Sequence, residues 1–357
     1  MSDLSLFPAA FSMLETGVAV VRSGKIIYMN PAAILLAGSD MTGRAQDLLL
    51  PSHVANNQSA SFITTAFVGT KSCTVRVTTV EDMRIHVFVC EPVHVDVTGT
   101  VLETLRSCMS NIKFSVACIS GIAEELDNAR LHDYISTLNR NYYRIKRTID
   151  NLSTLSGIAS KALPFHPELL DMTALCRDLA DTVDILTRKQ DVRIVFHAEE
   201  HLRLVADRAL MQQLVLNLLA NSILSCPRGG RVSLSLLKTG SSFVICVDDD
   251  GCGIAPEELA SVFAKYKQPE ALAHSGGSGI GLAVAKSIAE LHNGAIIIES
   301  RGEGQGTSVR VMLGYDVKAD SSLAVSPTEY GSEDMQRILT ELSGCLTCDC
   351  YTQSLQD

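Results

Sequence analysis

LVLNLLANSI (residues 214–223), VDDDGCGI (247–254) and HSGGSGIGLAVAK (274–286) decide the fold of this 357-residue chain. The first is apolar on every side and carries Asn217 and Asn221 one helical turn apart, so it reads as a buried helix with two amides facing the same way. The second is an apolar strand ending in Asp249, followed by a turn tight enough to call for Gly251 and Gly253. The third sets Gly276, Gly277, Gly279 and Gly281 ahead of a helical pattern. Glycines opening a helix N-terminus leave backbone N–H groups free to nest an anion. Leu282 stands at the last glycine position of G-x-G-x-x-G, which excludes a Rossmann fingerprint, and no Walker P-loop is present. Each stretch alone is commonly a turn, a cap or a surface; their order and their strand-or-helix contexts carry the signal.

In that order and with those gaps the three stretches resemble the ATP-binding boxes of sensor histidine kinases, in the superfamily that also holds DNA gyrase and MutL-type ATPases. The resemblance implies an α/β sandwich and a site for ATP with magnesium. Asp249 would accept from the adenine amino group, above the turn at Gly251 and Gly253. Asn221, with Asn217 one turn earlier, would ligate a magnesium ion bridging the phosphates; that ion keeps several waters and takes few protein ligands. Gly276, Gly277, Gly279 and Gly281 would receive the phosphates beside a lid at 266–275, and Leu282 and Thr307 complete the ATP-binding set. Two departures weaken the match: Leu224 replaces a lysine that contacts phosphate, and Ser225 an aromatic residue near adenine.

Upstream, Leu102, Leu105, Met109, Ile112, Val116, Ile119, Ala123 and Leu126 recur at alternating steps of three and four. After a turn at Asp127-Asn128 a second run follows through Leu131, Ile135, Leu138, Tyr142, Ile145, Ile149 and Leu152. This 3-4 repeat predicts a helical hairpin with a narrow apolar seam. One hairpin cannot bury that seam alone, so the pattern predicts a homodimeric four-helix bundle over 98–158.

The resemblance would place a phosphoacceptor motif, S-H-E-L-R-T-P-L, on the first of these helices. Here Ser110 takes the place of the histidine, Asn111 the acid, Lys113 the arginine, Phe114 the threonine and Ser115 the proline. A serine hydroxyl needs an adjacent base to attack ATP, and Asn111 cannot act as one. Members of the superfamily that phosphorylate serine carry a Glu where Asn217 stands, which weighs against a sporulation-type serine kinase. Basic residues on the second helix, Arg140, Arg144, Lys146 and Arg147, read as a solvated face or a dock for an acidic partner.

Residues 16–38 read as strand, Ser-Gly turn, strand and a helix capped by Asn30 with Pro31 at its first position. With two later strands, at 73–79 and 84–90, they resemble a PAS sensory domain. His53, His86 and His94 read as surface or strand residues. The fold class expected is therefore α+β multidomain: a PAS-like α/β sensor (1–96), a dimerisation hairpin (97–160), an ATP-binding α/β sandwich (161–316) and a C-terminal tail, partly disordered (317–357). The tail holds an amphipathic stretch (Met335, Ile338, Leu339, Leu342) suited to docking on the body or a partner.

A net charge of −10 argues against a nucleic-acid binder. No apolar run reaches the roughly 18–20 residues of a membrane helix, and the first residues lack the pattern of a signal peptide; the chain reads as cytoplasmic. Of eleven cysteines, Cys90, Cys118, Cys176 and Cys246 read as small buried hydrophobes kept reduced. Cys345, Cys348 and Cys350 cluster without a fourth zinc ligand nearby and read as loose tail thiols. The function expected is a two-component signalling protein of histidine-kinase type. It would bind Mg-ATP and pass the γ-phosphate to a histidine in trans, on another kinase in a mixed dimer, with a response regulator as a further partner. The alternative is a pseudokinase scaffold that uses ATP as a conformational ligand.

Overall fold

The structure is a computed structural model and describes residues 11–12, 14, 16–49, 61–68, 71–89, 99–126, 129–199, 201–239, 242–255, 280–300, 302, 304–314 and 332–352. Strands β1 (Gly17–Arg22) and β2 (Lys25–Met29) are joined by Ser23 and Gly24, at φ 49° and 74°, the left-handed geometry of a tight hairpin. Asn30 then caps α1 (Pro31–Ala37). Its Oδ1 accepts from Ala33 N at 2.9 Å and Val18 N at 2.8 Å, and its Nδ2 donates to Thr16 O at 2.9 Å. Pro31 is tolerated at the first helical position because its missing N–H would have no helical partner there. Strands β3 (Ser61–Val68), β4 (Lys71–Val80) and β5 (Met83–Val89) complete an antiparallel set.

Ala19, His86, Val77 and Phe62 register side by side across four of these strands on one buried face. His86 is a strand residue, as the sequence suggested, but a buried one, and burial pushes its imidazole down to about 4. It is therefore neutral at physiological pH. His53 and His94 lie outside the described residues.

Helices α2 (Gly99–Leu126) and α3 (Ala129–Ala159) form the hairpin. Their apolar repeat divides in two. Leu102, Met109, Val116 and Ala123 are buried against α3, as are Ile135, Tyr142 and Ile149 against α2 or the body. The alternate positions stay open: Leu105 40 %, Ile112 43 %, Ile119 40 %, Leu138 47 % and Ile145 47 % exposed.

The remainder comprises β6 (Glu168–Asp171), α4 (Met172–Thr187), β7 (Arg193–Ala198), β8 (Arg203–Ala206), α5 (Arg208–Ser225), β9 (Arg231–Thr239), β10 (Ser242–Asp249), α6 (Gly281–Leu291), β11 (Ala295–Ser300), β12 (Thr307–Gly314) and α7 (Ser332–Glu341). Asp171 and Asp207 cap α4 and α5 through Ala174 N and Leu210 N, each satisfying a donor left over at a helix start. The sheet runs β2-β1-β5-β4-β3-β11-β12-β10-β9-β7, while β6 and β8 pair separately. Strands β3 and β11 join its two halves, with Ile63 opposite Ile298 and Thr64 opposite Ile297. Helix α5 is buried on nearly all sides, between the sheet and α3.

Three expectations change. Residues 332–352 are not a loose tail but dock on the body through the amphipathic stretch: α7 and the turn at Cys348–Tyr351 pack on α3 and α5, with Ile338, Leu342, Leu346 and Tyr351 in the main core. Cys345 is accordingly buried, and Cys348 and Cys350 are half-buried. Among the described residues no cluster of side chains suits a metal ion. Of the cysteines read as buried, Cys176 and Cys246 are so, whereas Cys118 on α2 is exposed; Cys90 lies outside the described residues. Cys73, buried in β4, is disulfide-bonded. Nor is the basic stretch of α3 a uniformly solvated face, since Arg147 is 3 % exposed and faces Glu341 of α7. Among the described residues no helix is long and apolar enough to cross a membrane.

Candidate functional site

Strand β10 runs buried between β9 and β12 and delivers Asp249 to its end, where the chain turns through Gly251 and Gly253. The Asp249 Oδ1 accepts from Gly251 N at 2.9 Å and from Thr307 N, at the start of β12, at 3.2 Å. Ser222 on α5 also bonds this carboxylate. Burial pushes the Asp249 carboxyl above its ordinary range, against the pull of these three donors. The result is a half-buried acceptor fixed from three directions. Gly253 sits at φ +69°, and a Cβ there would run into the carbonyl of Gly302, so the turn admits glycine alone.

The two asparagines of α5 differ in their surroundings. Asn221 is half-buried, and its buried Nδ2 has no hydrogen-bond partner among the described residues. An orphan amide costs about 1–3 kcal/mol unless something meets it. This amide stands ready for a ligand. Asn217 is fully buried and occupied. Its Oδ1 accepts from Arg147 Nη2 at 3.0 Å, and its Nδ2 donates to Gln213 O at 3.0 Å. A Cβ on Gly281, the first residue of α6, would sit 2.6 Å from Asn217 Oδ1, so glycine lets α6 start against α5.

Asp249, Gly251, Gly253, Thr307 and Asn221 therefore gather where β10, β12 and α5 meet, and Asn217 and Gly281 lie one turn further along α5. Leu282 packs against the core and is half-buried. Gly276, Gly277, Gly279 and the lid at 266–275 lie outside the described residues. Sequence reasoning missed Ser222 and Arg147. Ser222 follows Asn221 directly and carried no pattern of its own, and Arg147 sits 70 residues before Asn217. Leu224 is 38 % exposed, and Ser225 turns its hydroxyl back to Asn221 O at 3.0 Å.

Ser110 is exposed on α2, and its Oγ donates to Arg106 O at 3.1 Å, one turn back on its own helix. Its neighbour Asn111 is exposed as well. Nothing in this geometry raises the nucleophilicity of the hydroxyl.

A strand-borne carboxylate over a glycine turn, beside a buried helix with an unpartnered amide, defines an ATPase domain of the GHKL type. Residues 206–316 match the family described as histidine kinase-, DNA gyrase B- and HSP90-like ATPase. Among curated proteins it is similar to the adaptive-response sensory kinase SasA of Synechococcus sp. (strain CC9311), 30 % identical over 192 residues, or 53 % of this chain and 50 % of SasA. It is also similar to the histidine protein kinase DivJ of Caulobacter vibrioides, 39 % identical over 124 residues, or 34 % of this chain and 20 % of DivJ. The chain thus spans half or less of the length of these two relatives. Among solved structures it is similar to full-length ShkA in complex with AMPPNP, at 20 % identity and a TM-score of 0.47, covering 59 % of this chain and 45 % of ShkA.

Proposed function

We propose that this chain is a two-component signalling protein of histidine-kinase type that binds Mg-ATP at the β10–α5 site and phosphorylates a histidine in trans. The observation that carries the reading is the pairing of Asp249, a carboxylate fixed by Gly251 N, Thr307 N and Ser222, with the unpartnered amide of Asn221. Asp249 would accept from the adenine amino group, with Gly251 and Gly253 keeping the backbone beneath the base free of side chains. Asn221 would hold the magnesium ion, which neutralises phosphate charge when bound. Gly276, Gly277, Gly279 and Gly281 would nest the phosphates on backbone N–H groups, with Leu282 and Thr307 lining the site.

The domain limits proposed are 1–96, 97–160 and 161–316, with 317–357 as a C-terminal segment that docks through residues 332–352. The order β2-β1-β5-β4-β3 and the cap at Asn30 support a PAS-like reading of the first unit. The split seam of α2 and α3 supports a homodimer. Leu105, Ile112, Ile119, Leu138 and Ile145 are each close to half exposed on one hairpin, and covering each contributes roughly 1 kcal/mol.

Transfer in trans follows from Ser110, an exposed hydroxyl bonded to its own helix where an acceptor histidine would stand. A heterodimer with a histidine-bearing kinase, or a response regulator downstream, would receive the phosphate. The test is incubation of the pure protein with Mg and γ-labelled ATP, alone and with a histidine-bearing kinase fragment, alongside Asp249→Asn. Acid-labile, alkali-stable label on the fragment that disappears with D249N supports the reading. ATP binding without transfer to any fragment favours the second reading, a pseudokinase scaffold. That alternative draws on the polar lock between Arg147 and Asn217, which ties the ATP-binding unit to the hairpin.

A further inference from the structure

Residues 332–352 touch both sides of one interface. On α5, Asp334 Oδ1 accepts from Gln212 Nε2 at 2.6 Å, and Arg337 Nη1 donates to Ala209 O at 2.9 Å. On α3, Glu341 pairs with Arg147 at 3.2 Å, both side chains only 4 % exposed. Further along, Arg140 Nε donates to Ser343 O at 3.5 Å and Asn139 Nδ2 to Tyr351 O at 2.9 Å, while the Tyr351 and Tyr143 rings lie 5.3 Å apart. Finally Asp349 reaches back to Lys189, just beyond α4, at 3.0 Å. The segment is a strap, tied alternately to the ATP-type unit and to the second hairpin helix.

Under the strap the two units meet through polar groups. Gln213 Nε2 donates to Asn151 Oδ1 at 3.0 Å, and Thr154 Oγ1 to Gln213 Oε1 at 3.1 Å. Arg147 bonds Glu341 with its Nε and Asn217 with its Nη2, so one guanidinium joins α3, α5 and α7. Polar contacts of this kind are close to neutral against water when the units separate. They hold the units together only while something keeps water out. The apolar side chains of the strap, Ile338, Leu342, Leu346 and Tyr351, are buried beside them and supply that cover.

We propose that residues 332–352 form an autoinhibitory latch that pins the ATP-binding unit onto α3, with Glu341, Arg147 and Asn217 as its bolt. While it is closed, both ends of the Asn217 amide are engaged by protein, and Arg147 stands against Asn217 on the Gly281 side of the candidate site. The unit is also held on its own hairpin, and a nucleotide bound there cannot approach an acceptor on another chain to reacting distance. Opening the latch frees Asn217 and lets the unit swing. The nucleotide part of this inference rests on the ATP-binding reading above; the clamp itself does not.

The experiment compares the full chain with Glu341→Lys, which sets two cations against each other, and with the reversed pair Arg147→Glu/Glu341→Arg. Small-angle scattering reads whether the units separate, and titration with a fluorescent ATP analogue in Mg reads the site. E341K is expected to enlarge the radius of gyration and to raise nucleotide affinity at least about threefold, and the reversed pair to return both toward the parent. Should E341K lose helix content, Asp334→Ala/Arg337→Ala, which loosens only the rim of α7, is measured instead with the same expectation. Unchanged scattering in a folded variant overturns the latch, and expansion with unchanged nucleotide affinity overturns its inhibitory role. A parent and variants that expand as expected but never bind nucleotide sink the ATP reading and leave the clamp standing.

Discussion

Arg147 on α3 and Glu341 on α7 form an ion pair at 3.2 Å, with both side chains 4 % exposed, although 194 residues separate them in the chain. A buried pair contributes little net stability, because desolving two charges offsets most of their attraction. Breaking it is another matter. Arg147→Ala is expected to destabilise the folded chain by about 3 kcal/mol, read by urea unfolding at pH 8. Replacing both partners by leucine and methionine is expected to cost far less. Equal losses in the single and double variants would show that the charges are not what matters there.

Burial pushes Glu341 from 4.5 up to about 7, with Arg147 pulling the other way, Asp150 adding to the rise and Arg337 opposing it. The folded chain thus holds a proton on Glu341 across a range where the unfolded chain has released it. The stability this contributes is complete below about pH 4.5 and is lost as pH rises through about 7. Unfolding free energy measured from pH 5 to pH 8 should therefore fall more steeply in the parent than in Glu341→Gln. Parallel curves would refute the assignment.

Asp249→Asn keeps the size of the side chain but removes the charge from an acceptor held by Gly251 N and Thr307 N. Charge-assisted hydrogen bonds contribute about 1.5–3 kcal/mol, so nucleotide affinity should fall roughly 10- to 100-fold. The melting temperature without nucleotide should change little. An affinity equal to the parent's would remove Asp249 from the adenine site.

The open half of the hairpin seam predicts a dimer whose mass is twice the 38.5 kDa of the chain. Ile112→Glu together with Ile145→Glu puts charges where Ile112 and Ile145 are 43 % and 47 % exposed on the hairpin. Light scattering of this variant should report a monomer with unchanged helix content. A parent chain that is itself monomeric at micromolar concentration would rule the bundle out.

Asn30 is fully buried, accepts from two backbone N–H groups and donates to the carbonyl of Thr16. Asn30→Ala leaves all three without their partner and should cost about 2–4 kcal/mol, more than a surface helix cap. Asn30→Asp, which keeps the two acceptor bonds, should cost less in thermal unfolding.

Much of the architecture was legible along the chain because its signals are local. Asn30 caps a helix where a short polar residue precedes Pro31 and an apolar run. The 3-4 repeat gave both hairpin helices, and the run into Asp249 gave the strand that carries the candidate site. Local pattern cannot rank faces that compete for one partner. Leu102 and Leu105 belong to the same repeat, yet only the first is buried. That difference depends on which neighbour each meets across the hairpin.

By itself, then, the sequence determined the two hairpin helices, the cap at Asn30, the strand into Asp249 and the type of ATPase domain, since each depends on residue identity and short spacing. The tertiary structure alone decided that Asn217 is occupied by Arg147 while the Asn221 amide has no partner among the described residues, that Ser222 reaches Asp249, and that residues 332–352 close over α3 and α5. Those outcomes depend on contacts between segments far apart in the chain. A buried polar group finds its partner only when packing brings the two within about 3 Å, and no spacing along the sequence encodes that distance.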